Sequence, residues 1–224
     1  MKNAFYLSLS NISKTFPGVK ALDNVQLNVG YGEIHALVGE NGAGKSTLIK
    51  ILSGVYSPDP GGSILVEGEP MRFTDINESM RRGISVIYQD LCLFQNLTVA
   101  ENICIGKGNG KLVNWRAYAD VAQKTLDRLH ISLNPGDLLG NLSIANQQLV
   151  AIARAIAYDS KLIIMDEPTA SLSRNEVQDL FAIIRALKAE GISILFISHK
   201  LDEVKALSDM VTVLRDGKYI GSKP

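Results

Sequence analysis

The sequence predicts an α/β fold: a mostly parallel sheet, an N-terminal antiparallel β subdomain and a helical insertion. Three observations point there. Short, nearly all-apolar runs alternate with segments of helical period, as in strands covered on both faces by helices. The first runs of the chain instead alternate apolar with polar residues, as a half-exposed antiparallel sheet does. The stretch from about residue 91 to 160 has few strand signals but strong helical spacing.

Taken in order, "AFYLSLS" (residues 4–10) and "LDNVQLNV" (22–29) are the alternating pair. "EIHALV" (33–38) is an apolar strand running into a glycine-rich loop, and "KSTLIKIL" (45–52) follows as a helix. "GISVIY" (83–88), "KLIIMD" (161–166) and "ISILFIS" (192–198) read as doubly buried strands. Between the last two, "RNEVQDLFAIIRALKAEG" is a capped amphipathic helix ending at Gly191, which completes a βαβ unit. "RAYADVAQKTLDRLH" and "QQLVAIARAIAY" carry the helical insertion, and "VTVLRDGKYIG" is a hairpin around an Asp-Gly turn. The expected organisation is one module over 1–224, with a core of 1–90 and 161–224 and a helical subdomain of 91–160. There is no internal repeat or low-complexity linker.

Composition narrows the function classes. With 46% hydrophobic and 21% charged residues, the chain is of ordinary globular type. Lys+Arg and Asp+Glu both number 23, which gives no basic surplus for bulk nucleic acid. Cys92 and Cys104 make neither a disulfide framework nor a metal set, and are expected as buried, reduced thiols of a cytosolic protein. No apolar run approaches the ~20 residues of a spanning helix, and "MKNAFYLSLSN" lacks a signal-peptide core. Any service to a membrane is expected from the water side.

"GENGAGKST" places Gly39, Gly44, Lys45 and Ser46 in the G-x-x-x-x-G-K-[ST] phosphate-loop pattern, with Asn41, Gly42 and Ala43 filling the loop. Glycines let backbone N–H groups turn inward, the helix N-terminus adds partial positive charge, and Lys45 reaches the β/γ-phosphates. Ser46 is a Mg²⁺ ligand in this pattern, and Thr47 is placed for the α-phosphate. "LIIMDEP" ends a buried strand in Asp166 and Glu167: one carboxylate for the magnesium shell, the next to orient and deprotonate a water facing the γ-phosphate. His199 follows another buried strand, where ligands of open parallel sheets bind, and is expected to sense the γ-phosphate. Gln89, in "IYQD", ends a third strand with an amide suited to Mg²⁺ or the water. His35 and His130 are expected to be structural.

Together these residues resemble the ATPase module of ABC transporters, and the resemblance covers essentially the whole chain. It implies an ABC ATPase fold built on a P-loop NTPase core, with ATP and Mg²⁺ as substrate and cofactor. Gln89 matches the family's glutamine loop, Asp166 its magnesium aspartate, Glu167 its general base and His199 its switch histidine. "ISKTFPGVKAL" matches the segment whose aromatic residue stacks on adenine, here Phe16.

"NLSIANQQLV" matches the family signature, usually Leu-Ser-Gly-Gly-Gln, over Leu142, Ser143, Ile144, Ala145 and Asn146. A serine at a helix start with free N–H groups favours an anion. In the family that anion is the γ-phosphate held by a second ATPase module, so two ATPs are sandwiched head to tail. Ile144 and Ala145 replace both signature glycines, Asn146 the usual glutamine, and Ser173 the aspartate common in the dimer-contact loop. "LSIANQQ" with "FPGVKAL" and "DEPTASL" looks most like the ATPases of bacterial importers of simple sugars such as ribose, galactose and xylose. The resemblance implies membrane permease subunits as partners, a periplasmic sugar-binding protein indirectly, and a place on the cytoplasmic face of the bacterial inner membrane. Two modules are usually fused in that group, so the chain is expected as the N-terminal half of a longer protein. The alternatives are a soluble ABC-type ATPase acting on nucleic acid or ribosomes, and a phosphate-loop kinase. The first lacks the arms or basic extensions it predicts, and the second leaves the signature stretch and His199 without a role.

Overall fold

In the computed structural model, which describes residues 4–71, 75–107 and 114–224, the alternating N-terminal runs form two long strands, β1 (Phe5–Phe16) and β2 (Val19–Gly30). They pair antiparallel from Phe5↔Gly30 to Phe16↔Val19 around the Pro17–Gly18 turn, where Gly18 takes φ 82°. β4 (Ser63–Val66) joins the outer side of β1, and β5 (Glu69–Pro70) extends β4. These two strands and α2 (Ile76–Arg81) are additions to the elements expected from sequence. Each is six residues or fewer, too short to establish a period.

The apolar runs form the parallel part. β3 (Ile34–Val38) lies between β8 (Ser193–Ile197) and β9 (Met210–Arg215), parallel to both. β7 (Leu162–Asp166) pairs parallel with β8 on one side and with β6 (Ile84–Ile87) on the other. β10 (Lys218–Lys223) folds back on β9 and meets β2 at Lys218↔Asp23, joining both parts into the order β5-β4-β1-β2-β10-β9-β3-β8-β7-β6. The hairpin turn holds Asp216 at φ 49° and Gly217 at φ 73°, the double positive φ that a tight two-residue turn between twisted strands requires.

α1 (Lys45–Leu52) packs Leu48, Ile49, Ile51 and Leu52 into a core shared with β1, β2 and β4. The other face of the parallel strands is covered by α3 (Val99–Cys104), α4 (Trp115–Arg128), α5 (Ile144–Ala157) and α6 (Arg174–Ala189) in a second core. Thr98 with Glu101 caps α3, Asn114 caps α4, and Ser173 with Glu176 caps α6. A short 3₁₀ turn (Leu139–Asn141) precedes α5, and α7 (Leu201–Leu207) follows β8.

Cys104 is buried, whereas Cys92 is exposed, against expectation. The reason is local: Cys92 adopts φ 49° in the connection leaving β6, which turns it out of the core. His35 is buried and bonded on both nitrogens, to Glu33 Oε1 at 2.6 Å and Thr212 Oγ1 at 2.7 Å. His130 lies two residues past the end of α4, at φ 55°. Among the described residues, no helix is long and apolar enough to cross a membrane.

Candidate functional site

The parallel register decides what meets what. Leu37 pairs with Ile197, Ile197 with Asp166, and Met165 with Ile87, so β3, β8, β7 and β6 stop together on one edge. The residues that follow each strand, the 39–45 loop, His199, Glu167 and Gln89, emerge along that edge.

The loop is held by contacts that exclude side chains. A Cβ on Gly39 would lie 2.5 Å from the Leu214 carbonyl oxygen. Gly44 adopts φ 99°, and a Cβ there would lie 2.7 Å from the Ala21 carbonyl oxygen. Asn41 and Gly42 are exposed at the tip, and Ala43 tucks inward with its N–H on the Glu40 carbonyl at 3.1 Å. Lys45 is 7% exposed and arches over the loop, donating to the carbonyls of Gly39 at 2.6 Å and Glu40 at 3.1 Å. Ser46 is exposed and Thr47 half-buried in the first turn of α1. Among the described residues no side chain caps this helix, which leaves its first N–H groups to meet an anion.

Asp166 is half-buried at the end of β7. Burial raises its carboxyl above the usual range, Glu167 adds to that, and Lys45 opposes both. β7 stops at Asp166; Glu167 turns into the left-handed region at φ 47°, with its N–H on the Ile197 carbonyl at 3.0 Å. That turn brings Glu167 Oε1 to 3.0 Å from His199 Nδ1. Glu167 is shielded, at 19% side-chain exposure, while His199 is open, at 56%.

The support of this pair was not legible in sequence. Glu203 of α7 accepts from Thr169 Oγ1 at 2.6 Å and Ser198 Oγ at 3.1 Å, and faces Lys200 Nζ at 3.0 Å. One carboxylate thus ties the turn carrying Glu167 to the turn carrying His199. Nothing in "LDEV" distinguishes Glu203 from a helix-start acid.

Phe16, Gln89 and the 142–146 stretch have no hydrogen bond or ion pair to this group among the described residues. Phe16 is half-buried at the end of β1, its ring 5.2 Å from that of Tyr56. Gln89 is exposed, two residues past the end of β6. The connection beyond it is held by α5: Arg154 donates to the carbonyls of Leu91 at 3.3 Å and Cys92 at 3.1 Å. A cavity of about 460 Å³ opens here, lined by Tyr88, Cys92, Phe94, Ala151, Arg154 and Tyr158.

Ser143 caps α5, accepting from the Asn146 N–H at 3.3 Å. Ser143 is exposed, Ile144 is 52% exposed, and Leu142, Ala145 and Asn146 are half-buried. Gln147, just beyond the expected stretch, is buried. It donates to the Leu142 carbonyl at 3.0 Å and accepts from Gln95 Nε2 at 3.0 Å, linking this tip to the connection after Gln89.

The model of the ABC transporter family matches residues 22–170, from within β2 through the Asp166–Glu167 turn. This chain belongs to the ABC transporter family. It is an ATP-binding module with that family's fold. A nucleotide-free ATP-binding cassette from an ABC transporter superposes with a TM-score of 0.86 at 31% identity, over 97% of this chain and 90% of that one. A cassette in its ADP conformation gives 0.87 at 30% identity, over 98% and 91%. A dimeric bacterial ABC transporter cassette gives 0.81 at 26% identity, over 97% of each chain. Among curated relatives, a Geobacillus kaustophilus protein, whose name assigns it to ribose, galactose and methyl galactoside import, is 52% identical over all of this chain and 45% of its own length. A ribose import ATP-binding protein of Burkholderia pseudomallei is 51% identical over 96% of this chain and 43% of its own. This ABC module therefore spans less than half the length of the curated relatives it matches.

Proposed function

We propose that this module binds and hydrolyses ATP to power import of a simple sugar through a membrane permease. The observation that carries the reading is the Glu167–His199 pair beside the phosphate loop, 3.0 Å apart at the common edge of four parallel strands. In it, Gly39, Asn41, Gly42, Ala43 and Gly44 wrap the phosphates. Lys45 swings from its loop carbonyls to the β/γ-phosphates, Thr47 takes the α-phosphate, and Phe16 stacks on the base. Asp166, Ser46 and Gln89 form the set for Mg²⁺. The fit is supported by Asp166 itself, a carboxylate that burial disfavours and only Lys45 compensates. Mg²⁺, when bound, neutralises charge on the phosphoryl oxygens.

Glu167 acts as general base on the attacking water. His199, held at its carboxylate, answers to the γ-phosphate, so the turn joined through Glu203 registers whether that phosphate is present. Ser143 and the first turn of α5, with Leu142, Ile144, Ala145 and Asn146, supply the anion site for a second module's γ-phosphate. The exposure of Ser143 and Ile144 supports this, as does a Ser143 hydroxyl bonded among the described residues only to the Asn146 N–H. The permease docks on the helical subdomain and the 89–103 segment, over the cavity beside Arg154. The module is peripheral to the cytoplasmic face of the membrane and serves a periplasmic sugar-binding protein indirectly. The relatives' lengths support its being one half of a tandem protein, with helices of residues 91–160 as a subdomain.

The test is Glu167→Gln with Mg²⁺ and ATP. Turnover should fall about 10²–10⁴-fold while ATP binding persists. On a sizing column the variant should run as an ATP-dependent pair. A variant that binds ATP yet never pairs, even joined to a second module, would remove the sandwich from the mechanism.

A further inference from the structure

The helix that begins at the phosphate loop ends beside the residue assigned to the base. After α1 the chain turns sharply, with the N–H groups of Val55 and Tyr56 both on the Lys50 carbonyl, at 2.9 and 3.0 Å. This turn is laced to the end of β1. Lys14 Nζ donates to the Ser57 carbonyl at 2.7 Å, Thr15 Oγ1 to Asp59 Oδ2 at 2.8 Å, and the Asp59 N–H to the Ser13 carbonyl at 2.8 Å.

At the centre of the lacing, the rings of Phe16 and Tyr56 meet edge to face, 5.2 Å between centroids at 68°. Lys14 Nζ lies 5.5 Å from the Phe16 centroid and 5.9 Å from that of Tyr56, and Lys50 Nζ lies 5.6 Å from the Tyr56 centroid. Both rings are half-buried, and Tyr56 rests against the core shared by β1, β2 and α1, which holds that ring in place beside Phe16. The edge-to-face quadrupoles and the two ammonium groups favour the tilt between them.

We propose that Tyr56 is a positioning residue for the nucleobase, holding the Phe16 ring at the tilt on which the base stacks. The inference rests on the assignment of Phe16 to the base. Because the turn that carries Tyr56 is bonded back to Lys50 of α1 and laced to the end of β1, the phosphate-binding helix and the base platform are joined, preorganised for a nucleotide of fixed span.

The test is calorimetric binding of ATP and of inorganic tripolyphosphate, which lacks a base, to the full chain. Phe16→Ala should weaken ATP about tenfold or more and leave tripolyphosphate unchanged. Tyr56→Leu should weaken ATP about three- to tenfold, again without effect on tripolyphosphate, and Tyr56→Phe should restore wild-type affinity. The double variant should bind ATP like Phe16→Ala alone, since Tyr56 acts through that ring. If Phe16→Ala loses affinity and Tyr56→Leu does not, this inference fails and the stacking assignment stands. If neither loses affinity, the stacking assignment fails and takes the inference with it. Equal losses for ATP and tripolyphosphate in Tyr56→Leu would assign Tyr56 to the stability of α1, which also overturns it.

Discussion

The helix start at Lys45 and the helix start at Ile144 are built in opposite ways. Neither α1 nor α5 carries an acidic residue in its first turn, so the positive end of each dipole is left for an anion. The first is enclosed: Gly39 and Gly44 are pressed against the backbone of Leu214 and Ala21, and Lys45 is buried over its own loop. The second stands open: among the described residues Ser143 bonds only within its own helix, and Ile144 is half in solvent. An enclosed anion site is complete within one chain. On the proposed reading, an open one of the same chemistry is half of a site that a second module completes.

The most disruptive way to break this comparison is at the enclosed end. Gly44→Val combines a strained positive φ with a backbone clash, and should cost about 3 kcal/mol of unfolding free energy and abolish ATP binding. Gly42→Ala is its control: φ is also positive, at 85°, but among the described residues nothing lies within 4 Å of the added Cβ, so about 1 kcal/mol should be lost in a denaturant melt. Equal losses at both positions would mean the loop is not enclosed. At the open end, Ser143→Ala should remove only a cap, about 1 kcal/mol, and leave single-module ATP binding intact. Pairing in the Glu167→Gln background, read by sizing or light scattering, should nevertheless disappear. Asn114→Ala removes an equivalent cap on α4 and should leave pairing untouched.

The finest test concerns charge. Burial raises the Asp166 carboxyl in the folded protein, so its contribution to stability is full below the ordinary carboxylate range and is lost as pH rises through the raised value. Without nucleotide, Asp166→Asn should therefore melt above wild type at neutral pH, and the gap should close on acidification. Mg²⁺ with ATP should stabilise the wild type and not the variant. A gap independent of pH would show that the carboxylate is not the origin of the effect.

Much of this was legible in the sequence because it is local or periodic. The all-apolar strands, the Asp-Gly hairpin and the glycine pattern each state a backbone requirement within a few neighbouring residues. The strand ends carrying Asp166, Glu167 and His199 could be aligned because parallel topology leaves little choice of edge. What was hidden depends on long-range pairing of ordinary residues. Glu203 bridging Thr169 and Ser198, Gln147 reaching Gln95, and Tyr56 against Phe16 are unremarkable types until the fold brings them together. Cys92 was misjudged because composition favours buried thiols, while a single positive φ decided its direction.

The contact between the loop and the last hairpin also bears on when the protein becomes competent during its synthesis. Gly39 rests on Leu214, the Gly217 N–H reaches the Ala43 carbonyl at 3.3 Å, and the Gly217 carbonyl accepts from the Asp23 N–H at 2.8 Å. The nucleotide cradle is therefore walled by residues translated some 170 positions after it. A nascent chain leaving the ribosome N-terminus first holds the phosphate-loop residues long before it holds their backing.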